Sequence, residues 1–578
     1  MKGGLRKSMT WLHTWSSLIV IWVLFAVFLT GTTAFFRAEI THWMTPEHHL
    51  SAKSDTPLVS ATDYLQSVAP FAETWQISLP DSRSPVLGLN WQAEGEERQR
   101  RRGARAVIDP ASGTAIDDAR ETAGGNFLFR FHYELYGISR EAGRWIVGAA
   151  SMLMFIAIIS GIIMHRKIFA DFFTFRPGKK TASWVDAHVV GSVLALPFHI
   201  MITFTGLFLL AGTLLFWQGG NERGGNERGG NQGGPQQEHG APERAPQERG
   251  AREGRTPDTA QEERGQKQRM TTAQEGDEPE QTRRRTSTED NNREAVAIDL
   301  EDLYQQAQAL MGQPVHDISI EKPMTADASI TFRGSEKSSL SHFRGGTPEV
   351  TFNALGEVTE ESTPEGAEGI VAKVYGVLRS LHEGHFADTL TRWLLFFSGV
   401  LGTVMVGSGA LLWSQKRERQ QAGQRGYELV SALNLAGIAG MFVALGAYFW
   451  ANRIIPAGTE GRSDLEIQTF LIAWLICLLY AVFLRKKHGW LIQLAVAGTL
   501  FAFLPVLDFV TSPAGLLDAI AAGDWVRISF DIVALLTAAG LWTAVYYLHK
   551  KARTPGRKNR PDKRRQSPRP QNKQETAS

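Results

Sequence analysis

Apolar stretches, each long enough to cross a bilayer as a helix of about 20 residues, constrain this fold most. They centre on 11–36, 143–164, 188–216, 390–413, 428–450, 465–484, 489–510 and 525–548. The first is too long for a signal peptide and lacks a small-residue cleavage site, which favours a retained anchor. The sequence therefore predicts a mostly α membrane protein with eight transmembrane helices.

Basic residues cluster in every second connection between these stretches. The clusters are Lys2, Arg6 and Lys7; Arg166, Lys167, Arg176, Lys179 and Lys180; Lys416, Arg417, Arg419 and Arg425; and Arg485, Lys486 and Lys487, with a basic tail beyond the last stretch. The positive-inside rule then predicts that both termini are cytoplasmic. The net charge of +2, from 61 basic and 59 acidic residues, gives no indication of a nucleic-acid partner. The apolar stretches make membrane lipid the expected surroundings.

Two long segments are predicted outside the cytoplasm, each as a small α+β module. Helix-like TDYLQSVAP and LEDLYQQAQALM precede strand-like runs such as TWQISL, VLGLNW, HDISIEK and ASITFRG. The predicted domains are helix 1 (1–36), module 1 (37–131), helices 2 and 3 (132–216), a disordered insert rich in Gly, Glu and Arg (217–294), module 2 (295–381), helix 4 (382–415), four additional helices (427–548) and a disordered basic tail (553–578).

The first four spans repeat a pattern, which indicates a duplicated hairpin. The interval from His13 to Gly31 equals the interval from His188 to Gly206. Likewise the interval from Arg144 to Gly161 equals that from Arg392 to Gly409. LFRFH at His132 also matches LRSLH at His382. Because both halves have the same orientation, equivalent residues are expected at equal depth.

Two facing histidines at each of two depths suggest two b-type haems with bis-histidine ligation. The pairs are His13 with His188 near the cytoplasmic face and His132 with His382 near the external face. Covalent c-type attachment is excluded because no CxxCH occurs, and the single Cys477 excludes iron–sulfur clusters and thiolate zinc sites within the chain. Zinc or copper at the histidine pairs is the competing alternative, weakened by the lack of nearby carboxylates.

Several further residues are candidates near these sites. His199 and His165 have no histidine counterpart in the repeat, and His385 follows His382 closely. Arg144 and Arg392 are candidates for pairing with haem propionates, with snorkelling at helix ends as the alternative. The remaining histidines, in loops, modules or helix ends, are expected to be solvated: His42, His48, His49, His239, His316, His342, His488 and His549.

The stretch from Trp184 to Leu210 is predicted as one continuous helix. His188 and His199 are separated by about three helical turns, so both rings would share one face. On a straight helix His199 would lie about 16 Å deeper than His188, near the middle of the membrane. It could then ligate a haem or flank the electron path.

The chain resembles the PepSY-associated transmembrane-helix proteins of bacterial inner membranes over roughly residues 1–415. The matching motifs are LHTW at His13, LTG at Gly31, FHYELYG at His132, ISGIIMHRK at His165, DFFTFRPGK, DAHVVGS at His188, LPFHIMITFTGL at His199 and LHEGH at His382. The type that it most resembles, the ferric-siderophore reductase, implies two b haems in four helices and reduction of ferric siderophore in the periplasm. The four C-terminal spans and the long insert depart from that pattern.

The resulting hypothesis is an inner-membrane oxidoreductase that passes electrons from the cytoplasmic to the external haem and onto a ferric siderophore or other ferric chelate. Without a G-x-G-x-x-G motif or room for a flavin domain, the donor is expected to be quinol or a separate reductase. The alternatives are a non-enzymatic protein whose modules bind peptide or restrain a protease, and a siderophore permease. For the C-terminal spans, with Asp508 and Asp531 as notable ionisable residues, binding quinol or a partner subunit and a structural role both remain open.

Overall fold

The structure is a computed structural model of the 578-residue chain, and it describes residues 2–50, 54, 56–81, 83–93, 104–117, 119–165, 180–213, 299–334, 348–362, 370–484 and 487–553. The predicted insert at 217–294 lies outside the described residues, as do the predicted tail beyond Arg553, His239, His342 and the motif DFFTFRPGK. Most of the basic cluster at 166–180, together with Arg485 and Lys486, lies outside them as well.

Helices make up most of the described chain. In order they are α1 (Lys2–Ala34), α2 (Arg37–Met44), α3 (Pro57–Val68), α4 (Gly124–Glu134), α5 (Arg140–Met164), α6 (Lys180–Leu194), α7 (Leu196–Ala211), α8 (Leu300–Met311), α9 (Ile370–Glu383), α10 (Thr389–Gln421), α11 (Arg425–Asn434), α12 (Gly440–Ile454), α13 (Arg462–Leu484), α14 (Lys487–Ala502), α15 (Leu504–Thr511), α16 (Leu516–Ala522) and α17 (Trp525–Arg553). A short 3₁₀ turn spans Pro46–Leu50, and a π-helical segment, Leu435–Ala439, joins α11 to α12.

Several of these helices could cross a membrane. By length and apolarity seven of the described helices, or up to eight if the bent pair α6 and α7 is one span, meet the requirement. α11 with α12, and α14 with α15, each count as one span. The arrangement is consistent with a multi-pass membrane protein.

The third predicted span is broken rather than straight. α6 and α7 meet at Ala195 with a bend of 70°. Pro197 lies in the first turn of α7, where its missing N–H and its ring prevent a continuous hydrogen-bond ladder. The prediction of one helix with His188 and His199 on a shared face is therefore wrong, and the depth calculated for His199 does not apply.

The predicted modules combine into one seven-stranded antiparallel sheet. Its strands are β1 (Ala72–Ser78), β2 (Leu87–Ala93), β3 (Ala104–Ile108), β4 (Val315–Glu321), β5 (Ser329–Gly334), β6 (Glu349–Asn353) and β7 (Val358–Ser362), in the order β3-β2-β1-β4-β5-β6-β7. β1 and β4 pair with Ile77 opposite Ile318, so the two segments meet edge to edge. The helix and strand predictions hold, but the two segments share a single core rather than two.

Alternating side chains give the sheet one apolar and one polar face, as the period of two in a strand requires. Trp75, Ile318 and Phe332 lie in the core beneath α3 and α8. On the opposite face Ser78 bonds Asp317 and Thr331 bonds Thr351. The core of this unit is separate from the larger apolar cluster of the helices.

The helices of the first four predicted spans pack in matching ways. In the first half of the predicted repeat, α1 contacts α4 and α5. In the second half, α7 correspondingly contacts α9, and α6 contacts α10. α1 also packs against α10, and α5 against α7, so these elements form one bundle.

The C-terminal helices pack on α1, α2 and α4 through buried polar networks as well as apolar contacts. Asp508 accepts hydrogen bonds from Arg453 and Arg527 at 2.7 and 2.6 Å, and all three side chains are buried. Asp531 accepts a hydrogen bond from the Trp43 indole. The sequence singled out the two aspartates but missed their arginine partners.

Histidines near α2 are also buried, contrary to the prediction that they are solvated. His42 lies 3.0 Å from Asp524, and His49 lies 3.1 Å from the Ser512 hydroxyl. Burial lowers the pKa of His48 to about 4 and that of His49 to about 2. The partners of His42 and His49 come from the C-terminal end of the chain, so no local pattern could indicate them.

Candidate functional site

Both predicted histidine pairs form in the described part of the bundle. The ring centroids of His13 and His188, the first pair, are 6.2 Å apart with an interplanar angle of 75°. Those of His132 and His382, the second pair, are 6.0 Å apart at 31°. Each pair joins one histidine from the first half of the predicted repeat to one from the second half.

Every histidine of the two pairs is anchored through its Nδ1 atom. His13 donates to the Ala157 carbonyl and His188 to the Met405 carbonyl, both at 2.8 Å. His132 donates to the Val27 carbonyl at 2.7 Å. His382 Nδ1 lies 2.9 Å from the Thr205 hydroxyl, which donates its own proton to the Met201 carbonyl and so accepts from His382. A carbonyl can only accept, so Nδ1 carries the proton and the neutral imidazole leaves Nε2 as a ligand.

A glycine lies against each of the four imidazoles. A Cβ atom at Gly206 would lie 2.7 Å from His382, and one at Gly31 would overlap the His132 ring. Cβ atoms at Gly161 and Gly409 would lie 3.4 Å from His13 and His188, respectively. These four glycines thus leave the space that the rings occupy, closely at the second pair and loosely at the first.

The serines that immediately precede Gly161 and Gly409 support the same anchors. Ser160 and Ser408 donate to Ala157 and Met405, the carbonyls that also accept from His13 and His188. One carbonyl has two lone pairs and can accept both bonds. The anchors themselves are backbone atoms, which sequence reasoning missed; the only available signal was the interval between histidine and glycine.

The donor set fits a metal held by two imidazoles from opposite sides. Two imidazoles bound to one ion at about 2 Å each would have centroids roughly 6 Å apart, as both pairs do. No group of three or more His, Cys, Asp or Glu side chains that could hold an ion is found among the described residues. Among the described residues, the histidine pairs are therefore two-ligand sites.

Burial keeps the second pair in the form that a metal requires. α4 and α9 are not among the candidate spans. Burial lowers the pKa of His132, and burial with the nearby His132 lowers that of His382 to about 4. Both imidazoles are therefore neutral near pH 7 and need not release a proton to bind metal.

The three unpaired candidate histidines do not join either pair. His199 is fully buried beside Phe28 and Gly402, and neither ring nitrogen makes a hydrogen bond of good geometry to a described residue, although the Ser192 and Ser398 carbonyls interact with it electrostatically. His165 ends α5. His385 lies 2.6 Å from Glu383.

Arginines and carboxylates surround the helix ends beside the second pair. Arg144 and Arg130 bond Glu134, the former at 2.6 Å, while Arg392 and Arg83 bond Glu39. Each group has two guanidinium groups and one carboxylate. The two arginines predicted to pair with propionates thus already have protein partners, although the Nε atom of Arg144 is buried without one among the described residues.

Glu383 continues this charged rim. Burial alone would raise the pKa of Glu383, but hydrogen bonds from His385 and Arg379 lower it to about 2. The carboxylate is therefore ionised near neutral pH and holds His385 and Arg379 beside His382.

Helices with paired, anchored histidines inside an apolar bundle define a multi-pass protein with a candidate cofactor site in its core. The family model for the PepSY-associated TM region matches residues 10–416, which include both pairs and the sheet, and the chain belongs to this family. No curated protein matched the chain.

Proposed function

We propose that this protein is a di-haem b-type electron-transfer protein of the bacterial inner membrane that reduces ferric chelates, such as ferric siderophores, in the periplasm and so aids iron uptake. The observation that carries the proposal is the geometry of the two histidine pairs, each anchored through Nδ1 with its ring centroids about 6 Å apart.

Haem bound at each pair would supply one-electron chemistry at its iron. The chain's own residues fix the tautomer and orientation of the ligands through Ala157, Met405, Val27 and Thr205. The apolar cluster around α1, α4 and α10 excludes water from the site.

The proposed topology is both termini in the cytoplasm and the sheet in the periplasm, with the first four spans a duplicated hairpin. The matching anchors support this, since His13 and His188 each bond the carbonyl one helical turn before a glycine. In this orientation the second pair lies near the periplasmic face. The arginine-rich groups around Glu134 and Glu39 would then attract an anionic ferric chelate.

An absorption spectrum of the purified protein tests the proposal. Dithionite-reduced protein should show b-type bands at about two haems per chain. Replacement of His188 or of His382 by alanine should each remove about one haem, with His316→Ala, in strand β4, as a matched histidine control. Protein made with adequate haem supply that contains none would refute the proposal, whereas release of ferrous iron to a periplasmic chelator would support the proposed substrate.

A further inference from the structure

The helix that carries His132, α4, is enclosed between α1 and the C-terminal helices. Its inner side supplies His132 to the Val27 carbonyl of α1. Its outer side presents Phe127 and Phe131, which contact Phe470 with ring centroids 5.0 and 5.4 Å apart. Phe131, the residue next to His132, also meets Trp474. The C-terminal spans therefore contact the residue next to His132.

Glu466 of α13 binds the two residues immediately before α4. Its Oε2 atom accepts from the Thr122 hydroxyl at 2.7 Å and from the Ala123 backbone N–H at 3.1 Å. The first N–H groups of a helix have no partner within the helix, and a carboxylate there also interacts favourably with the helix dipole. A side chain from a distant part of the chain thus adds to the polar contacts at the start of α4, where the Gly124 and Gly125 N–H groups donate to the Thr122 and Thr41 hydroxyls.

Glu466 is itself held in place by fully buried neighbours. Its Oε1 atom accepts from Arg462 and, at 2.8 Å, from Asn452. Arg462 also donates to the Glu121 carbonyl at 2.7 Å, immediately before α4. Tyr448 donates to the Gly124 carbonyl at 2.8 Å. Three C-terminal side chains and Glu466 therefore fix the start of α4 at several points.

The helix that carries the other ligand of the second pair has no comparable support among the described residues. α9 packs on α7, and its Val374 and Tyr375 side chains are exposed. The contacts of the C-terminal helices fall on α1, α2, α4 and α10. The added spans thus act on one side of the second pair only.

We propose that the four C-terminal spans are a positioning unit for the second histidine pair, and that Glu466 acts through α4 to hold His132 opposite His382. This rests on the proposed haem function, which supplies the reason for that placement. Glu466 is a positioning residue, because it contacts neither histidine.

The test compares Glu466→Ala with the wild type in the full-length protein. Electron paramagnetic resonance of the oxidised protein reports the ligand geometry of each haem, and His382→Ala identifies the signal of the second pair. Glu466→Ala should shift or abolish that signal and leave the first-pair signal unchanged. Glu466→Gln keeps an acceptor oxygen for Thr122 and Ala123 but removes the carboxylate that pairs with Arg462, so it should change the second-pair signal less than Glu466→Ala does.

Asp531→Asn is the matched control, because Asp531 is a buried carboxylate of the same unit whose hydrogen bond comes from the Trp43 indole of α2 and not from the start of α4, and asparagine keeps an acceptor oxygen for it. It should leave both signals unchanged. An unchanged second-pair signal in Glu466→Ala, or an equal change in Asp531→Asn, would overturn the proposal. If Glu466→Ala does not accumulate, Tyr448→Phe, which removes one bond to Gly124, is measured instead against the same criteria.

Hydrogen–deuterium exchange gives a readout that does not require haem. Glu466→Ala should increase amide exchange at the start of α4 and leave α9 at the wild-type rate. If the wild type contains no haem, the proposed function fails, and unchanged exchange in α4 would separately overturn the positioning role.

Discussion

At the scale of single residues, the equal histidine–glycine intervals predicted a repeat but not which glycine contacts which histidine. The interval from His13 to Gly31 recurs from His188 to Gly206, yet Gly31 lies against His132 rather than His13. Gly161, in the same way, lies against His13. The pairs themselves were predictable because identical residues recur, but which glycine meets which ring depends on helix packing that periodicity does not encode.

Adding one methyl group at the second pair should disrupt it. Gly206→Ala would place a Cβ atom 2.7 Å from His382, and overpacking of this kind costs about 1–3 kcal/mol. We expect the haem content to fall from about two towards about one per chain in a reduced-minus-oxidised spectrum. Gly409→Ala is the matched control, since its Cβ atom would make an ordinary contact at 3.4 Å with His188. Two haems retained in Gly206→Ala would contradict this expectation.

His199 is the residue whose role the sequence left open, and the structure sets it apart from both pairs. Each pair is complete without it, so His199→Leu should retain about two haems per chain, measured as haem per protein. Leucine is the residue at the repeat-equivalent position, Leu24, which is also buried. Loss of one haem would instead identify His199 as an axial ligand.

At the scale of elements, most helices and strands followed from apolar runs and alternation, whereas their breaks did not. The bend at Ala195 was missed because Pro197 falls within an otherwise uninterrupted apolar run, which favours one span. The C-terminal spans were predicted as helices, but their role was not. Arg453, Arg462 and Arg527 flank or interrupt apolar runs and resemble ordinary helix-end residues until their carboxylate partners are seen.

Removing the charge of Asp508 should destabilise the C-terminal helices strongly. Asp508→Asn would leave two buried guanidinium groups, Arg453 and Arg527, without their carboxylate, and breaking a buried ion pair costs roughly 3–5 kcal/mol. The unfolding free energy in detergent should fall by about that amount. Asp317→Asn, on the exposed face of the sheet, should have little effect. A loss below about 1 kcal/mol, the range of exposed pairs, would contradict the prediction.

At the scale of the whole molecule, the two α+β segments were predicted from helix and strand patterns, but their union was not. β1 and β4 lie far apart in the sequence, with the membrane-length helix α5, the bent pair α6 and α7 and the insert between them, and no local feature indicates that their edges pair. Alternation specifies which face of a strand is buried, not which strand lies beside it. The cytoplasmic placement of both termini stays a prediction from the basic clusters.

The single Cys477 makes the topology directly testable. In a Cys477→Ala background, cysteine introduced at Ser112, in the turn after β3, or at Glu357, before β7, should react with a membrane-impermeant maleimide in intact cells whose outer membrane is permeabilised. Cysteine at Glu418 of α10 should react only after the inner membrane is disrupted. Labelling of Glu418→Cys in intact cells would show the opposite orientation.

The pairing of β1 with β4 makes chain continuity between residues 213 and 299 dispensable in principle. If the chain were divided into a piece that ends at residue 213 and a piece that begins at residue 299, the hydrogen bonds between β1 and β4, with Ile77 opposite Ile318, would still join the two pieces. His13, His188 and His132 all belong to the first piece, and His382 belongs to the second. The two pieces would therefore behave as subunits: one of them alone would contain both histidines of the first pair, with the Met405 anchor of His188 supplied by the other, and the second pair would be created only by their assembly.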